Sequence, residues 1–149
     1  MSRIEIEPIA YVRHRVADAE VSRRRRDLVS EIVVLDRFAP SLDGIEDWSH
    51  LFVLFWMHKL PSDGPSVLRA RPRGRADLPE LGVLAARGRQ RPNPVGLAVV
   101  ELLERRGNIL SVRRLDAFDG TPVIDLKPYD NYDVVQDLRM PAWWRGLSG

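Results

Sequence analysis

From Leu81 to Leu126 the sequence is cut by glycine, proline and asparagine into short β-rich pieces, and this punctuation limits the available architectures most. Gly96 to Leu103 and Ile109 to Leu115 read as two strands joined by a turn at Arg105-Arg106-Gly107-Asn108. Leu81 to Ala85 reads as a strand before them. Asp119-Gly120-Thr121-Pro122 makes a further turn, and Val123 to Leu126 continues as strand. Upstream, Ile4 to Val12 starts with strict apolar–polar alternation, Ser30 to Leu35 has strand character, and Leu51 to His58 is the most apolar run. That run is short, partly aromatic and bounded by turn formers, so a buried strand is favoured over a helix. Several short strands at close spacing predict a mainly all-β fold, a small antiparallel barrel or sandwich with short helical turns. Strand–helix alternation and a Gly-x-Gly-x-x-Gly turn are both missing, which argues against a doubly wound nucleotide-binding fold.

The remaining segments are less regular. Arg13 to Asp27 is polar and reads as a loop or frayed helix. Pro40 to Gly44 resembles one helical turn stopped by glycine, and Pro61 to Glu80 a long surface loop around a short strand near Val67 to Arg71. The tail from Tyr129 has turn character and ends near Trp143-Trp144. A chain of 149 residues fits one domain and buries roughly 70% of its unfolded surface, enough to fold without a disulfide or structural metal. It contains no cysteine, no apolar run near the roughly 20 residues that cross a bilayer, and no signal-peptide core after Met1. A cytoplasmic location is the simplest expectation.

Net charge is only +2, but it is unevenly spread. Arg69, Arg71, Arg73, Arg75, Arg87, Arg89 and Arg91 are opposed only by Asp77 and Glu80, seven against two, a local +5. Arg23 to Arg26 form a second basic run. Guanidinium forks suit phosphate and carboxylate, so a nucleic-acid or nucleotide partner is one reading. A coding bias is the other, because 21 of the 23 basic residues are arginine.

Three constellations are chemically informative. In Arg87-Gly88-Arg89-Gln90-Arg91-Pro92-Asn93-Pro94-Val95-Gly96, two prolines bracket Asn93 and stiffen the backbone. Such a loop serves either as a pocket wall or as a stiff connection with solvated arginines. In Leu115 to Tyr129, Asp125 lies in an apolar strand, and its carboxylate needs a partner. Lys127, two residues on, shares its face and supplies one, either as a buried pair or as a pair lining a pocket. The third, Asp47-Trp48-Ser49-His50, leads into the apolar strand that ends at His58-Lys59. His50 and His58 are separated by a full strand, so no metal site is expected. Ser49 beside His50 carries no weight as a nucleophile pair, since neighbouring strand residues face opposite sides.

Taken together and in this order, these strings resemble the TrmO (YaeB, TsaA-like) family of S-adenosylmethionine (SAM)-dependent tRNA threonylcarbamoyladenosine methyltransferases. The resemblance runs over residues 4–132 and is carried by Gly44 to His58, Gly82 to Leu97 and Leu115 to Tyr129. It implies a single TsaA-like SAM-binding barrel domain over 1–149, with its core at about 4–132 and a tail at 133–149. It further implies a homodimer that binds SAM near the subunit interface, with tRNA as partner and neither membrane nor metal. By the same resemblance His58, Lys59, Arg87, Leu97 and the turn Asp119, Gly120, Thr121, Pro122 contact SAM, while Arg91 and Asn93 shape the pocket. Asp125, Lys127 and Tyr129 would lie near the transfer site or dimer seam as the catalytic set. Ala86 and Gly88 stand where the family loop usually has hydroxyls. Two other readings stay open: the same barrel with another nucleoside or small-molecule acceptor, and a nucleotide- or RNA-binding module without turnover.

Overall fold

The computed structural model describes residues 2–59, 67–145 and 147. Its strands are β1 (Ala10–Arg13), β2 (Val29–Val34), β3 (His50–Trp56), β4 (Arg69–Ala70), β5 (Leu81–Gly82), β6 (Val95–Arg106), β7 (Ile109–Arg113) and β8 (Pro122–Pro128). Six of them close into a barrel in the order β1-β2-β7-β6-β3-β8, and β1 returns to β8 with Ala10 opposite Val123. Every pairing is antiparallel. The expected mainly-β antiparallel barrel is therefore present, with only short helical turns beside it.

Strand alternation explains the core. Ala10 and Val12, Ile32 and Val34, Leu51, Val53 and Phe55, Val100, Leu110, Val112 and Val123 point inward and are buried. Residues between them face outward, as a period of two requires. Closure leaves these six strands without a free edge. The barrel belongs to a compact unit made of Met1–Pro61 and Pro94–Tyr129. A second unit, Ser62–Asn93 with Asp130–Gly149, contains the β4–β5 pair and the helix α2 (Ala142–Arg145).

Several boundaries differ from the sequence reading. The first strand begins at Ala10 rather than Ile4, since Pro8 has no N–H to donate and Ile4 is 87% exposed. Arg13 to Asp27 contains α1 (Asp18–Val21) and a 3-10 turn, Ser22–Arg24, tied down by buried Val21 and Leu28. The helical turn near Pro40 is longer than expected, Asp36–Leu42, and is followed by Gly44 at φ +89°. Only Leu81–Gly82 is strand in its segment, because the amide of Ala86 turns back to the carbonyl of Val83. β6 continues to Arg106, which narrows the hairpin turn to Gly107-Asn108. Part of the expected loop, residues 60–66, lies outside the described residues.

Two local features position the site. Gly96 faces Phe55 across β3 and β6, and a Cβ there would meet the phenyl ring at 2.3 Å. The glycine that closes the Arg-Pro-Asn-Pro-Val-Gly string is thus demanded by packing. The second feature is a β-bulge in β8: Leu54 pairs with Asp125 and Phe55 with Val123, so Ile124 has no partner on β3. In unbroken alternation Asp125 would share the inward face of Val123; the bulge at Ile124 shifts the phase, and Asp125 and Lys127 turn outward.

Gly96→Ala should destabilise the protein by about 1–3 kcal/mol through overpacking, read as a lowered thermal midpoint. Adding Phe55→Leu should recover part of the loss, whereas strictly additive penalties would contradict the contact.

Candidate cofactor and transfer site

At one end of the barrel, β1 and the segment after it grip the turn that precedes β8. The amide of Gly120 donates to the carbonyl of Val12 at 2.8 Å, and that of Val12 to the carbonyl of Thr121 at 2.9 Å. Thr121 is buried, and its hydroxyl donates to the carbonyl of Phe118 at 2.7 Å. The His14 amide donates to Asp119 Oδ1 at 2.9 Å, and the His14 Nε2–H to the carbonyl of Ala117 at 2.9 Å. Lys59 reaches the same place from the end of β3. Its ammonium lies 5.6 Å from the centre of the Phe118 ring and 2.8 Å from Asp18 Oδ2. Lys59 therefore lies over Phe118, the residue that precedes the Asp119–Pro122 turn. The His58 imidazole is held below its ordinary value, first by desolvation and then by neighbouring Lys59, with Asp18 opposing. His14, Asp18 and Phe118 are contributors that the sequence reading missed. They sit in irregular stretches where no periodicity marks them.

Beside this turn lies a mainly apolar cavity of about 230 Å³, lined by Ile6, Glu7, Pro8, Trp56, Pro122 and Ile124. An apolar wall, one lysine and one aspartate are the groups required by a ligand with an aromatic ring, a carboxylate and an ammonium. SAM is such a ligand: the lining itself supplies the apolar wall and one carboxylate, Glu7, while Lys59 and Asp119 lie outside the lining residues.

The second group lies on the outer face of β3 and β8. Lys127 Nζ is 3.4 Å from Asp125 Oδ2, and Asp125 Oδ1 accepts the Leu126 amide at 2.9 Å. The expected Asp–Lys pair forms, but on the surface: the side chains are 46% and 63% exposed. The bulge turned the strand and left the pair in water. Tyr129 packs edge-on against Phe52 at 5.3 Å and tilts over His50 at 6.5 Å, and its amide donates to the His50 carbonyl. Ser49 Oγ and His50 Nδ1 are 2.7 Å apart. The sequence expectation that these two side chains diverge is corrected here, because Ser49 precedes β3 and escapes its alternation. The first two members of the expected catalytic set, Asp125 and Lys127, touch each other. Tyr129 sits at the far, His50 end of β3, roughly 20 Å along the strand from Trp56.

Between these ends the outer face of β3 and β6 is apolar. Phe52, Leu54 and Trp56 are half-buried beside Val95, Leu97 and Val99, with Leu97 52% exposed.

In the second unit the arginine loop is partly self-contained. Arg91 donates to the carbonyls of Ala86 at 2.7 Å and Gly88 at 3.2 Å, so its guanidinium holds the loop together. Arg69 pairs with Glu80, and Arg75 with Asp77, whose carboxyl it holds below the usual range. Arg71 donates to the carbonyl of Leu78. Arg87 and Asn93 are exposed. The local positive charge is thus partly spent on folding this unit. Among the described residues no group of three or more His, Asp or Glu could hold a metal, and no helix is long and apolar enough to cross a membrane.

Comparison with known proteins agrees with the barrel fold. The profile of the tRNA-methyltransferase O N-terminal domain matches residues 19–134. A probable S-adenosyl-L-methionine-binding protein of Methanothermobacter thermautotrophicus is 46% identical over 138 residues, 91% of this chain and 95% of that protein. The Escherichia coli tRNA (adenine(37)-N6)-methyltransferase is 35% identical over 141 residues, 87% of this chain and 59% of that enzyme. A crystal structure of TrmO superposes with a TM-score of 0.74 at 31% identity, covering 93% of this chain and 64% of that one. The chain thus spans just under two thirds of the length of that solved relative. With the barrel, the three sequence strings and a profile match over most of its length, the chain belongs to the tRNA-methyltransferase O N-terminal domain family of SAM-dependent methyltransferases.

Proposed function

We propose that this chain, acting as a cytoplasmic homodimer, transfers the methyl group of SAM to the exocyclic amine of threonylcarbamoyladenosine beside the anticodon of tRNA. The observation that carries this reading is the convergence of Lys59 and the Asp119–Pro122 turn beside an apolar cavity, in a chain related to an enzyme named for adenine-37 methylation in tRNA.

When bound, SAM supplies a methyl group already activated on a sulfonium. The protein's contribution is then positioning and electrostatics. Lys59 would hold the carboxylate of the donor and Asp119 its ammonium, with Trp56 and Pro122 as the apolar wall. Leu97 would add an apolar contact. Arg87, Arg91 and Asn93, which the family resemblance assigns to the pocket, belong to the second unit, where Arg87 is exposed. Lys127 and Tyr129 stand at the acceptor end. Both oxygens of Asp125 are already engaged, so it orients Lys127 rather than taking a proton. The proton of the amine passes to His50 Nε2, in the tautomer whose Nδ1–H donates to Ser49 Oγ.

The donor end and the acceptor end are roughly 20 Å apart along β3, too far for in-line transfer within one barrel. The apolar outer face of β3 and β6 supports the resolution. Two copies pack these faces about a two-fold axis lying across the strands, so that each acceptor end meets the partner's donor end.

Calorimetric titration should give one SAM site per chain. With labelled SAM, tRNA bearing threonylcarbamoyladenosine should gain one methyl on that nucleoside, read by mass spectrometry of the digest. SAM binding without transfer to this tRNA would leave the cofactor and remove the acceptor. SAM affinity should be flat through neutral pH and fall on acidification through a midpoint below the ordinary imidazole value of 6.5, where protonated His58 adds a cation beside Lys59 and the sulfonium. His58→Gln should abolish that acid limb. Finally, inactive Lys59→Ala and Tyr129→Ala chains, mixed at equal amounts and allowed to exchange, should recover about a quarter of wild-type activity, because half the dimers then hold one intact site. Mixed dimers with no activity would place both ends in the same chain.

A further inference from the structure

The donor end contains a histidine that no part of the reaction above uses. His14 follows β1 and is half-buried, and all of its polar groups named here are committed to the backbone or to Asp119. Its amide donates to Asp119 Oδ1 at 2.9 Å. Its Nε2 lies 2.9 Å from the carbonyl of Ala117, which can only accept, so Nε2 carries the proton. Its Nδ1 lies 3.1 Å from the amide of Val16, which can only donate, so Nδ1 presents its lone pair. The two contacts require the same neutral tautomer, and one ring joins two segments that are 103 residues apart in sequence. One segment is the 117–119 approach to the Asp119–Pro122 turn. The other is the 14–18 stretch, which leads to Asp18 and through it to Lys59.

We infer that His14 is a positioning residue for the methyl-donor site: its Nε2–H tautomer sets the distance between the Asp119 turn and the Asp18–Lys59 pair. This rests on the reading that Lys59 and the turn hold SAM. Both hydrogen bonds of the ring go to backbone groups, so its action runs through the backbone. The carbonyl of Ala117 and the amide of Val16 are the two handles. Of these, the Ala117 contact is the one that reaches the turn, while the Val16 contact closes a local two-residue loop that a shorter side chain can reproduce.

Two substitutions separate the handles. In His14→Gln the side-chain NH2 extends to the Nε2 position and can donate to Ala117, but nothing replaces Nδ1. In His14→Asn the side-chain oxygen takes the Nδ1 position and accepts from Val16, but nothing reaches Ala117. By calorimetry, His14→Asn should bind SAM about tenfold more weakly than wild type, and His14→Gln within about threefold of it. Affinity for tRNA and the thermal midpoint without SAM should change little in both. Wild-type SAM affinity in His14→Asn overturns the inference. So does an equal loss in both variants, which is the mark of a general structural role. Absence of SAM binding by the wild type instead overturns the donor-site reading on which the inference rests, and the two failures are thereby distinct. Should His14→Asn not fold, histidine nitrogen NMR of the wild type decides. The His14 ring should show the Nε2–H tautomer and shift on SAM addition; the other tautomer, or a signal unmoved by saturating SAM, overturns the assignment.

Discussion

The barrel closes where it is thinnest. β1 and β8 share only the pairs Ala10–Val123 and Tyr11–Pro122, extended by single hydrogen bonds from Ile9 to Val123, from Val12 to Thr121 and from Gly120 back to Val12. Without that seam β1 and β8 would be edge strands, and Ala10, Val12 and Val123 would lose the far side of their core. The seam also continues directly into the Asp119–Pro122 turn. The interaction that seals the hydrophobic interior is therefore also the one that fixes the turn on which the proposed donor site rests. Stability and ligand geometry share hydrogen bonds there, and a change that loosens the seam is felt by both.

Much of the fold was legible because alternation and turn residues are local signals. β2, β3, β7 and β8 follow from β-branched and apolar residues bounded by glycine, proline and asparagine, and the structure moves their ends by only a few residues. The reading was weakest where a tertiary contact overrides local pattern. Ile4 and Ile6 alternate like a strand, yet the sheet begins after Pro8. Val83 to Ala85 has strand composition, yet it coils into a 3-10 turn.

The site divides in a similar way. Long strings such as Asp-Gly-Thr-Pro and Lys-Pro-Tyr point to their residues, because many constraints in a row make a pattern recognisable. His14 and Asp18 send no such signal, since their partners, Ala117 and Asp119 for the one and Lys59 for the other, share no window of sequence with them. The arginines mislead in the opposite direction. Seven in a short span suggest an open cationic surface, but Arg91 is occupied with backbone carbonyls and Arg69 and Arg75 with carboxylates. A guanidinium that organises its own loop contributes shape first and field second.

Ile124 has the least conspicuous side chain of the region, yet the bulge at its position gives β8 two personalities. Before it, the strand's register belongs to the barrel, with Val123 buried. After it, the same strand aims Asp125 and Lys127 outward. Ile124 contributes its place in the count as well as an apolar side chain to the cavity wall. A relative that kept the same count of residues but paired this strand without the bulge could preserve every charged and aromatic group and still face them the wrong way. Where such chains diverge, the register that sets Phe55 against Val123 and Leu54 against Asp125 is therefore a sharper marker of an outward carboxylate than the identity of the residue at 124.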